Sequence, residues 1–298
     1  MKLTFLGTSS MLPTKDRNTT AILLSHKAEN ILIDCGEGTQ RQLRKAQIPP
    51  TKITRLLITH WHGDHVLGIP GLLETLAKQG YTKTLYIYGP VGTKKFLKEM
   101  YKTFISQYNE VKVKVKEITK DEIFINEKDF TISSLKLNHT TTCYGYSFQE
   151  KDKRRINLNY TKKFGLTKHP LLGKLQQGET ITFDGNKITP EKGTITTPGK
   201  KITILLDTAK TKNMAKFAEN SDILIAESTL SNELEKEAMK IKHLIPKYAA
   251  EIAKEAKVKK LILTHISQRY KNSKILEVEA RKIFKNTVSV NDLDSFEI

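Results

Sequence analysis

The sequence has 298 residues, enough for one large α/β domain or two average ones, and 28% of them are charged, giving a formal net charge of +18. An excess of that size favours a polyanionic partner, either nucleic acid or an anionic membrane surface, although a lysine-rich surface kept for solubility would give the same charge. The two cysteines, Cys35 and Cys143, form no CxxC pair, which argues against a thiolate zinc site or a thioredoxin-type motif. There is no signal-peptide-like start and no run of ~18 apolar residues, so we expect a soluble cytoplasmic protein without a membrane span.

Predicted strands dominate the first half of the chain. Short, apolar, β-rich segments predict strands at 2–6, 20–24, 30–34, 55–59, 85–88, 130–137 and 144–148. Helical spacing of apolar residues predicts helices at 66–78 and 93–101. The strict alternation VKVKVK at 111–116 is typical of a half-buried antiparallel strand.

In the second half, strands alternate with helices. Strands are predicted at 202–206, 222–226, 260–264 and 288–290, and helices at 212–219, 246–256 and 274–284. Pro246 suits the first turn of its helix. Two comparable halves of this kind predict an α/β fold in which two sheets pack face to face with helices outside.

Residues 151–178, KDKRRINLNYTKKFGLTKHPLLGKLQQG, fit neither pattern. This basic segment carries eight Lys or Arg against one acid, Asp152, and shows no clean period. A stretch of that length without regular structure inside a domain is usually functional or disordered. It is therefore either a contact surface for a polyanion or a solvated loop.

Three of the eight histidines fall within the run His60-Trp61-His62-Gly63-Asp64-His65, directly after a predicted strand. In extended backbone the side chains of His60 and His62 point the same way, so both imidazoles can face one metal. Gly63 allows a tight turn, after which Asp64 and His65 can face a second metal. Imidazole and carboxylate together suit zinc, and four potential ligands in six residues predict a metal site rather than structural histidines.

Two metals need further ligands, and these are expected at the ends of other strands. His139, Asp207 and His265 each follow an apolar strand. Any one of them alone could be structural, but their shared position makes them candidates, and a carboxylate such as Asp207 can bridge two ions.

These stretches resemble a known family. THWHGDH (59–65), His139, Asp207-Thr208 and THISQRY (264–270) are similar to the tRNase Z (ribonuclease Z) family of the metallo-β-lactamase superfamily, as are FLGTSSMLPTKDRNTT (5–20), DCGEGTQRQL (34–43), AESTL (226–230) and the region 249–265. The resemblance implies one metallo-β-lactamase αββα sandwich over residues 1–298, acting as a homodimer. It also implies removal of the 3′ trailer from precursor tRNA, which leaves a tRNA 3′-hydroxyl and a 5′-phosphorylated trailer. Leu206, Ala226, the Leu244-Ile245 pair after His243, and His169 before Pro170 depart from the family's usual residues.

The resemblance also implies a role for each site residue. His60, His62 and His139 would hold one zinc ion, Asp64, His65 and His265 the other, and Asp207 would bridge them. Asp64 would act as general base, Glu227 with His243 as proton donor, and Arg269 would bind phosphate. The basic segment falls where these enzymes carry a protruding arm that grips the tRNA body, in a dimer for the partner's active site, with Lys153, Arg154, Arg155, Lys162 and Lys163 as the expected contacts.

Two other functions share parts of this pattern. A superfamily hydrolase of a small phosphodiester, a thioester, a lactam or a cyclic nucleotide would keep the H-x-H-x-D-H motif but would leave the basic segment without a role. A nucleic-acid-binding protein without catalysis would be expected to have lost ligands, and all seven candidates are present.

Overall fold

The structure of the chain, a computed structural model, describes residues 1–104 and 111–298. Contacts divide the chain into two units. The first comprises Met1–Ile125, Ile132–Phe148 and Lys201–Ile298, and the second comprises Asn126–Thr131 and Gln149–Lys200.

The strands of the described residues are short. In chain order they are β1 (Lys2–Gly7), β2 (Ser9–Ser10), β3 (Ala21–His26), β4 (Glu29–Ile33), β5 (Arg55–Leu57), β6 (Leu85–Pro90), β7 (Val113–Ile118), β8 (Ile123–Asn126), β9 (Phe130–Leu137), β10 (Cys143–Glu150), β11 (Lys153–Ile156), β12 (Ile181–Phe183), β13 (Asn186–Ile188), β14 (Thr194–Thr197), β15 (Lys201–Leu205), β16 (Ile223–Glu227), β17 (Lys260–Thr264), β18 (Ile266–Ser267), β19 (Thr287–Ser289) and β20 (Ser295–Glu297).

The helices are α1 (Thr39–Lys45), α2 (Gly63–Val66), α3 (Ile69–Lys78), α4 (Thr93–Phe104), α5 (Leu158–Thr161), α6 (Leu171–Gln176), α7 (Pro190–Gly193), α8 (Asn213–Phe217), α9 (Glu235–Lys240), α10 (Pro246–Glu255) and α11 (Lys274–Arg281). Single 3₁₀ turns occupy Pro50–Lys52, Lys162–Phe164 and Asn232–Leu234. Across the described ranges, none of the helices has the length and apolar character needed to cross a membrane.

The first large sheet has the strand order β20-β1-β3-β4-β5-β6-β7. The strands from β20 to β4 pair antiparallel, and those from β4 to β7 pair parallel. The prediction of an antiparallel strand at 111–116 is wrong in its direction, because β7 runs parallel to β6. The alternation reflects the position of β7 at the sheet edge, where Lys114 and Lys116 are exposed; lysines at an edge also discourage pairing with another chain.

The second large sheet has the order β19-β17-β16-β15-β10-β9-β8, in which β15, β16, β17 and β19 are parallel. The carboxyl ends of parallel strands meet at one edge of a sheet. The segments after β15 and β17 and the end of β16 therefore come together, and these positions carry Asp207, His265 and Glu227.

The two sheets pack face to face, as predicted. The Tyr146 hydroxyl donates to the Ile58 carbonyl across the interface at 2.6 Å, and the Tyr144 amide donates to the Thr59 carbonyl at 3.0 Å. Helices cover the outer faces: α1, α3 and α4 bury apolar side chains against the first sheet, and α8, α10 and α11 against the second. The observed architecture is therefore the predicted α/β sandwich.

The second unit contains the basic segment and folds around its own small core. β11 pairs antiparallel with β14, and β12 forms a hairpin with β13. Leu166, Leu175, Ile181 and Ile188 are buried together. The segment showed no period because its strand β11 and its helices α5 and α6 are only four to six residues long.

Candidate metal centre

The loop between β5 and α2 gathers four potential ligands. His62 has an extended backbone (φ −81°, ψ 151°) immediately before α2 begins at Gly63. Nε2 of His60 lies 3.0 Å from Nδ1 of His62, so the two imidazoles face the same space, as their spacing predicts. Asp64 and His65 lie in α2 and approach the remaining ligands from its first turn.

The structure brings the three predicted strand-end residues to this loop. His139 places Nε2 3.3 Å from Nδ1 of His62. His265 places Nε2 3.4 Å from Oδ2 of Asp64. Asp207 and His265 both have left-handed backbones, with φ of 44° and 55°, an uncommon conformation for a residue other than glycine.

The Asp207 carboxylate lies between two sets of histidines. Its Oδ2 atom is 3.7 Å from Nε2 of His60 and 3.8 Å from Nε2 of His139. Its Oδ1 atom is 3.4 Å from Nε2 of His65 and 3.2 Å from Nε2 of His265. One oxygen therefore faces each set, which is the arrangement that a bridging carboxylate requires.

The ligand atoms fit divalent cations. Those of His60, His62, His139 and Asp207 lie within 4.8 Å of one another, and so do those of Asp64, His65 and His265. Nε2 of His65 and Oδ1 of Asp207 are buried and make no hydrogen bond to the described residues. Buried polar atoms normally have partners, and two unsatisfied atoms that face each other fit a bound cation, for which an imidazole and carboxylate set is suited.

The electrostatics of the cluster favour the metal-binding forms of four candidate ligands, His60, His62, His139 and Asp207. His65 is the exception: burial lowers its pKa, but the carboxylates of Asp207 and Asp34 outweigh burial and raise that pKa well above its usual value. Burial lowers the pKa of His60 well below its usual value, and it also lowers the pKa values of His62 and His139. Burial opposes ionisation of Asp207, but His265 and His65 prevail and hold its pKa well below the usual range. Neutral imidazoles and an ionised carboxylate are the species that coordinate zinc.

Asp34, which the sequence interpretation did not select, supports the cluster from behind. Its Oδ2 accepts from Nδ1 of His65 at 2.7 Å, and its two oxygens accept from the amide and hydroxyl of Thr59 at 2.7 and 2.8 Å. A fully buried carboxylate of this kind fixes the imidazole with Nε2 directed at the cluster. Its position directly after β4, in DCGEGTQ, was the available signal.

Glu227 and His243 form a second buried network beside the cluster. Nδ1 of His243 lies 2.8 Å from Oε2 of Glu227, and the Thr208 amide donates to the other carboxylate oxygen at 2.6 Å. Nε2 of His243 is directed towards Asp207, 4.0 Å from its Oδ2. Burial lowers the pKa of His243, but the Glu227 carboxylate outweighs it and raises that pKa to about 9. The unusual residues after His243 leave the pair intact.

The other predicted site residues lie outside the cluster. Arg269 is half exposed and pairs with Glu237, with 2.8 Å between Nη2 and Oε1. The predicted RNA contacts are exposed side chains of the second unit: Lys153, Arg154, Arg155, Lys162 and Lys163. Asp64 has one further partner that the sequence did not suggest, the Met11 amide, which donates to its Oδ2 at 2.8 Å.

Comparisons with known proteins place this geometry in context. A family model described as "Anti-Pycsar protein Apyc1" matches residues 1–184. A curated protein of Enterococcus faecalis named "Ribonuclease Z" is 42% identical, with the alignment covering 100% of this chain and 97% of that protein.

Solved structures agree with this relationship. The short form of human tRNase Z superposes with a TM-score of 0.74 at 27% identity, covering 100% of this chain and 99% of its own. A metallo-β-lactamase fold protein from Bacillus subtilis gives a TM-score of 0.72 at 22% identity, covering 100% of this chain and 98% of its own, and this likeness shows the fold.

Proposed function

The chain belongs to the ribonuclease Z family of metal-dependent endoribonucleases that process tRNA 3′ ends, and we propose that its histidine and aspartate cluster holds two zinc ions. His60, His62 and His139 would hold one ion, and Asp64, His65 and His265 the other. Asp207 would bridge them. The observation that carries this proposal is the Asp207 carboxylate, which directs one oxygen at each set of histidines.

The chemistry that such ions would supply when bound is a water whose pKa is lowered to about 7 and neutralisation of charge on phosphoryl oxygens. The Met11 amide donates to the Asp64 carboxylate and fixes its orientation. Asp64 in turn positions the attacking water and accepts its proton. His243 donates a proton from Nε2 to the departing 3′ oxygen, while Glu227 holds Nδ1. Arg269 binds a phosphate of the RNA in place of its present partner, Glu237. Breaking this exposed ion pair costs little, because surface pairs contribute little to the free energy of folding.

The function is tested with a precursor tRNA that carries a defined 3′ trailer. Incubation with zinc-loaded protein should release an intact trailer in one cut, and mapping both new ends should find a tRNA 3′-hydroxyl and a trailer 5′-phosphate. Binding without cleavage would favour a nucleic-acid-binding protein. Cleavage of a small phosphodiester alone would favour the small-molecule hydrolase. Since the substrate is precursor tRNA, we expect the protein to act in the cytoplasm.

The proton-donor role of His243 predicts a dependence on the leaving group. His243→Ala should slow cleavage of precursor tRNA by about 10²–10⁴-fold, because the ribose 3′ oxygen needs a proton as it departs. The same variant should slow cleavage of bis(p-nitrophenyl) phosphate far less, because nitrophenolate leaves without one. Single-turnover rates on both substrates, with metal content measured for each preparation, give the comparison. Equal losses on the two substrates would rule out this role.

The contacts of Asp34 predict an effect on metal affinity. Asp34→Asn should weaken zinc binding by about 10–100-fold, since the imidazole of His65 loses the carboxylate that orients it. Competition with a chromogenic chelator measures the dissociation constant. Glu29→Gln is the matched control, because Glu29 is another carboxylate of the same hairpin and pairs with Arg55 instead. Similar zinc affinity in both variants would contradict the role of Asp34.

The family resemblance also supports a homodimer. Leu67, Phe96 and Phe104 are 59%, 38% and 63% exposed, and they line one apolar cavity of the first unit. Exposed apolar surfaces of this kind often mark protein contacts. Sedimentation equilibrium over a range of concentrations tests whether the chain dimerises.

A further inference from the structure

A cavity of about 600 Å³ lies beside His243, among residues of the loop after β15 and of α9 and α10. Its walls include Lys210, Lys212, Met239, His243, Tyr248 and Ile252, all in the first unit. The volume falls within the roughly 300–1,000 Å³ of small-ligand sites. Of these residues, the mechanism above uses His243 alone, so the cavity has no role in it.

The chemistry of the leaving group determines which part of the RNA lies here. During cleavage a water oxygen bonds to phosphorus, the bond from phosphorus to the 3′ oxygen breaks, and that oxygen takes a proton from Nε2 of His243. The phosphate departs with the trailer. The ribose that carries the 3′ oxygen must therefore come within hydrogen-bond reach of His243, at about 2.6–3.2 Å. The sugar holds the base of the same nucleoside close to that oxygen, so the cavity beside His243 lies within its reach.

The walls of the cavity suit a nucleobase. The ring of Tyr248 is anchored by a hydrogen bond from its hydroxyl to Glu235. The Nζ atoms of Lys210 and Lys247 each lie 5.5 Å from the ring centroid, and Lys210 is held by Glu251 at 2.6 Å, so a base that stacks on this ring would displace a flexible lysine side chain. Ile252 is buried, whereas Met239 is 59% exposed. Aromatic and apolar side chains bind the faces of unpaired bases without reading their sequence.

We propose that this cavity binds the nucleoside immediately 5′ of the scissile bond, with its base against Tyr248. The inference rests on the function proposed above. The exposed ammonium group of Lys212 at the cavity supplies charge for the phosphate of that nucleotide. The subsite would hold the end of the tRNA beside its proton donor for any terminal base.

Abasic substrates test the proposal. Two precursor tRNAs carry an abasic ribose, one at the nucleotide 5′ of the cut and the other at the first trailer nucleotide. Tyr248→Ala should slow single-turnover cleavage of the unmodified precursor by about ten-fold or more, the range found for stacking of one base. The wild-type protein should cleave the first abasic substrate more slowly by a similar factor. On that substrate Tyr248→Ala should not lower the rate further. Tyr248→Phe, which keeps the ring, should retain most of the rate.

Controls separate this outcome from misfolding and from failure of the proposed function. Met239→Ala changes an exposed wall residue; it should slow cleavage of the unmodified precursor by a smaller factor and should likewise add no loss on the first abasic substrate. Tyr86→Ala removes an aromatic ring that is 37% exposed elsewhere and should slow neither substrate. Three outcomes would overturn the subsite. The wild type could cleave the first abasic substrate at the full rate, or Tyr248→Ala could slow cleavage of the unmodified and the first abasic substrate equally. In the third outcome, the effect of Tyr248→Ala would disappear on the substrate with the abasic trailer nucleotide instead. Failure of the wild type to cut the unmodified precursor would instead overturn the proposed function.

Discussion

Asp207→Ala should reduce cleavage of precursor tRNA by about 10³-fold or more. The carboxylate faces both sets of histidines, so its loss would remove a ligand from both of the proposed ions, on which several kcal/mol of charge stabilisation would depend. Steady-state cleavage of a labelled precursor gives the rate, and elemental analysis of the same preparation gives the zinc content. Both should fall.

Asp207→Asn is the sharper variant of this test. Asparagine tolerates the left-handed backbone at this position, where φ is 44°, and it preserves the shape of the side chain. A loss of metal and rate close to that of the alanine variant would therefore follow from the missing charge. Binding of precursor tRNA to both variants should persist, since the basic side chains are unchanged. Full zinc content with normal cleavage in Asp207→Asn would contradict the bridging role.

Neutralising the basic contacts of the second unit should reduce kcat/KM for precursor tRNA by about 100-fold or more at low salt. The variant replaces Lys153, Arg154, Arg155, Lys162 and Lys163 with alanine. The slope of log kcat/KM against log salt concentration should become shallower by roughly 4 if each of the five side chains contacts one phosphate. Hydrolysis of bis(p-nitrophenyl) phosphate should be unchanged, because a substrate with a single phosphate does not depend on contacts to several phosphates.

Substitution is a better test than deletion of residues 151–178. Leu166 and Leu175 lie within that range and share a buried core with Ile181 and Ile188, so deletion would unfold the rest of the second unit. The matched control removes five exposed lysines of the first unit: Lys236, Lys254, Lys257, Lys282 and Lys285. Both variants lower the net charge equally. Equal losses on tRNA would indicate a general effect of charge rather than a specific surface.

The residues of the candidate metal centre could be selected from the sequence because their signals are local. His60, His62, Asp64 and His65 occupy one turn after a strand, and His139, Asp207 and His265 follow strands of their own. Apolar strands are readable from sequence, and in a sandwich their ends converge. Asp34 also follows a strand directly, so its position was a signal, but its role behind His65 is recognised only when its distance to that imidazole is known.

The failures have physical causes as well. Alternation in 111–116 reports one-sided burial, which is typical of antiparallel strands but also occurs in a parallel strand at a sheet edge, as in β7. The strands β8 and β20 and the helix α9 are four, three and six residues long, too short to establish a period. The same limit concealed the elements of the second unit.

Asp34, Asp207 and His265 have left-handed backbones, with φ values between 44° and 58°. These conformations set folding stability against catalytic activity. Each such residue costs roughly 1–2 kcal/mol relative to ordinary backbone, a cost that glycine avoids. Selection for a more heat-resistant chain would therefore favour glycine at the positions that the reaction needs most. A thermostable variant that retains nuclease activity therefore has to gain its additional stability at other positions in the molecule.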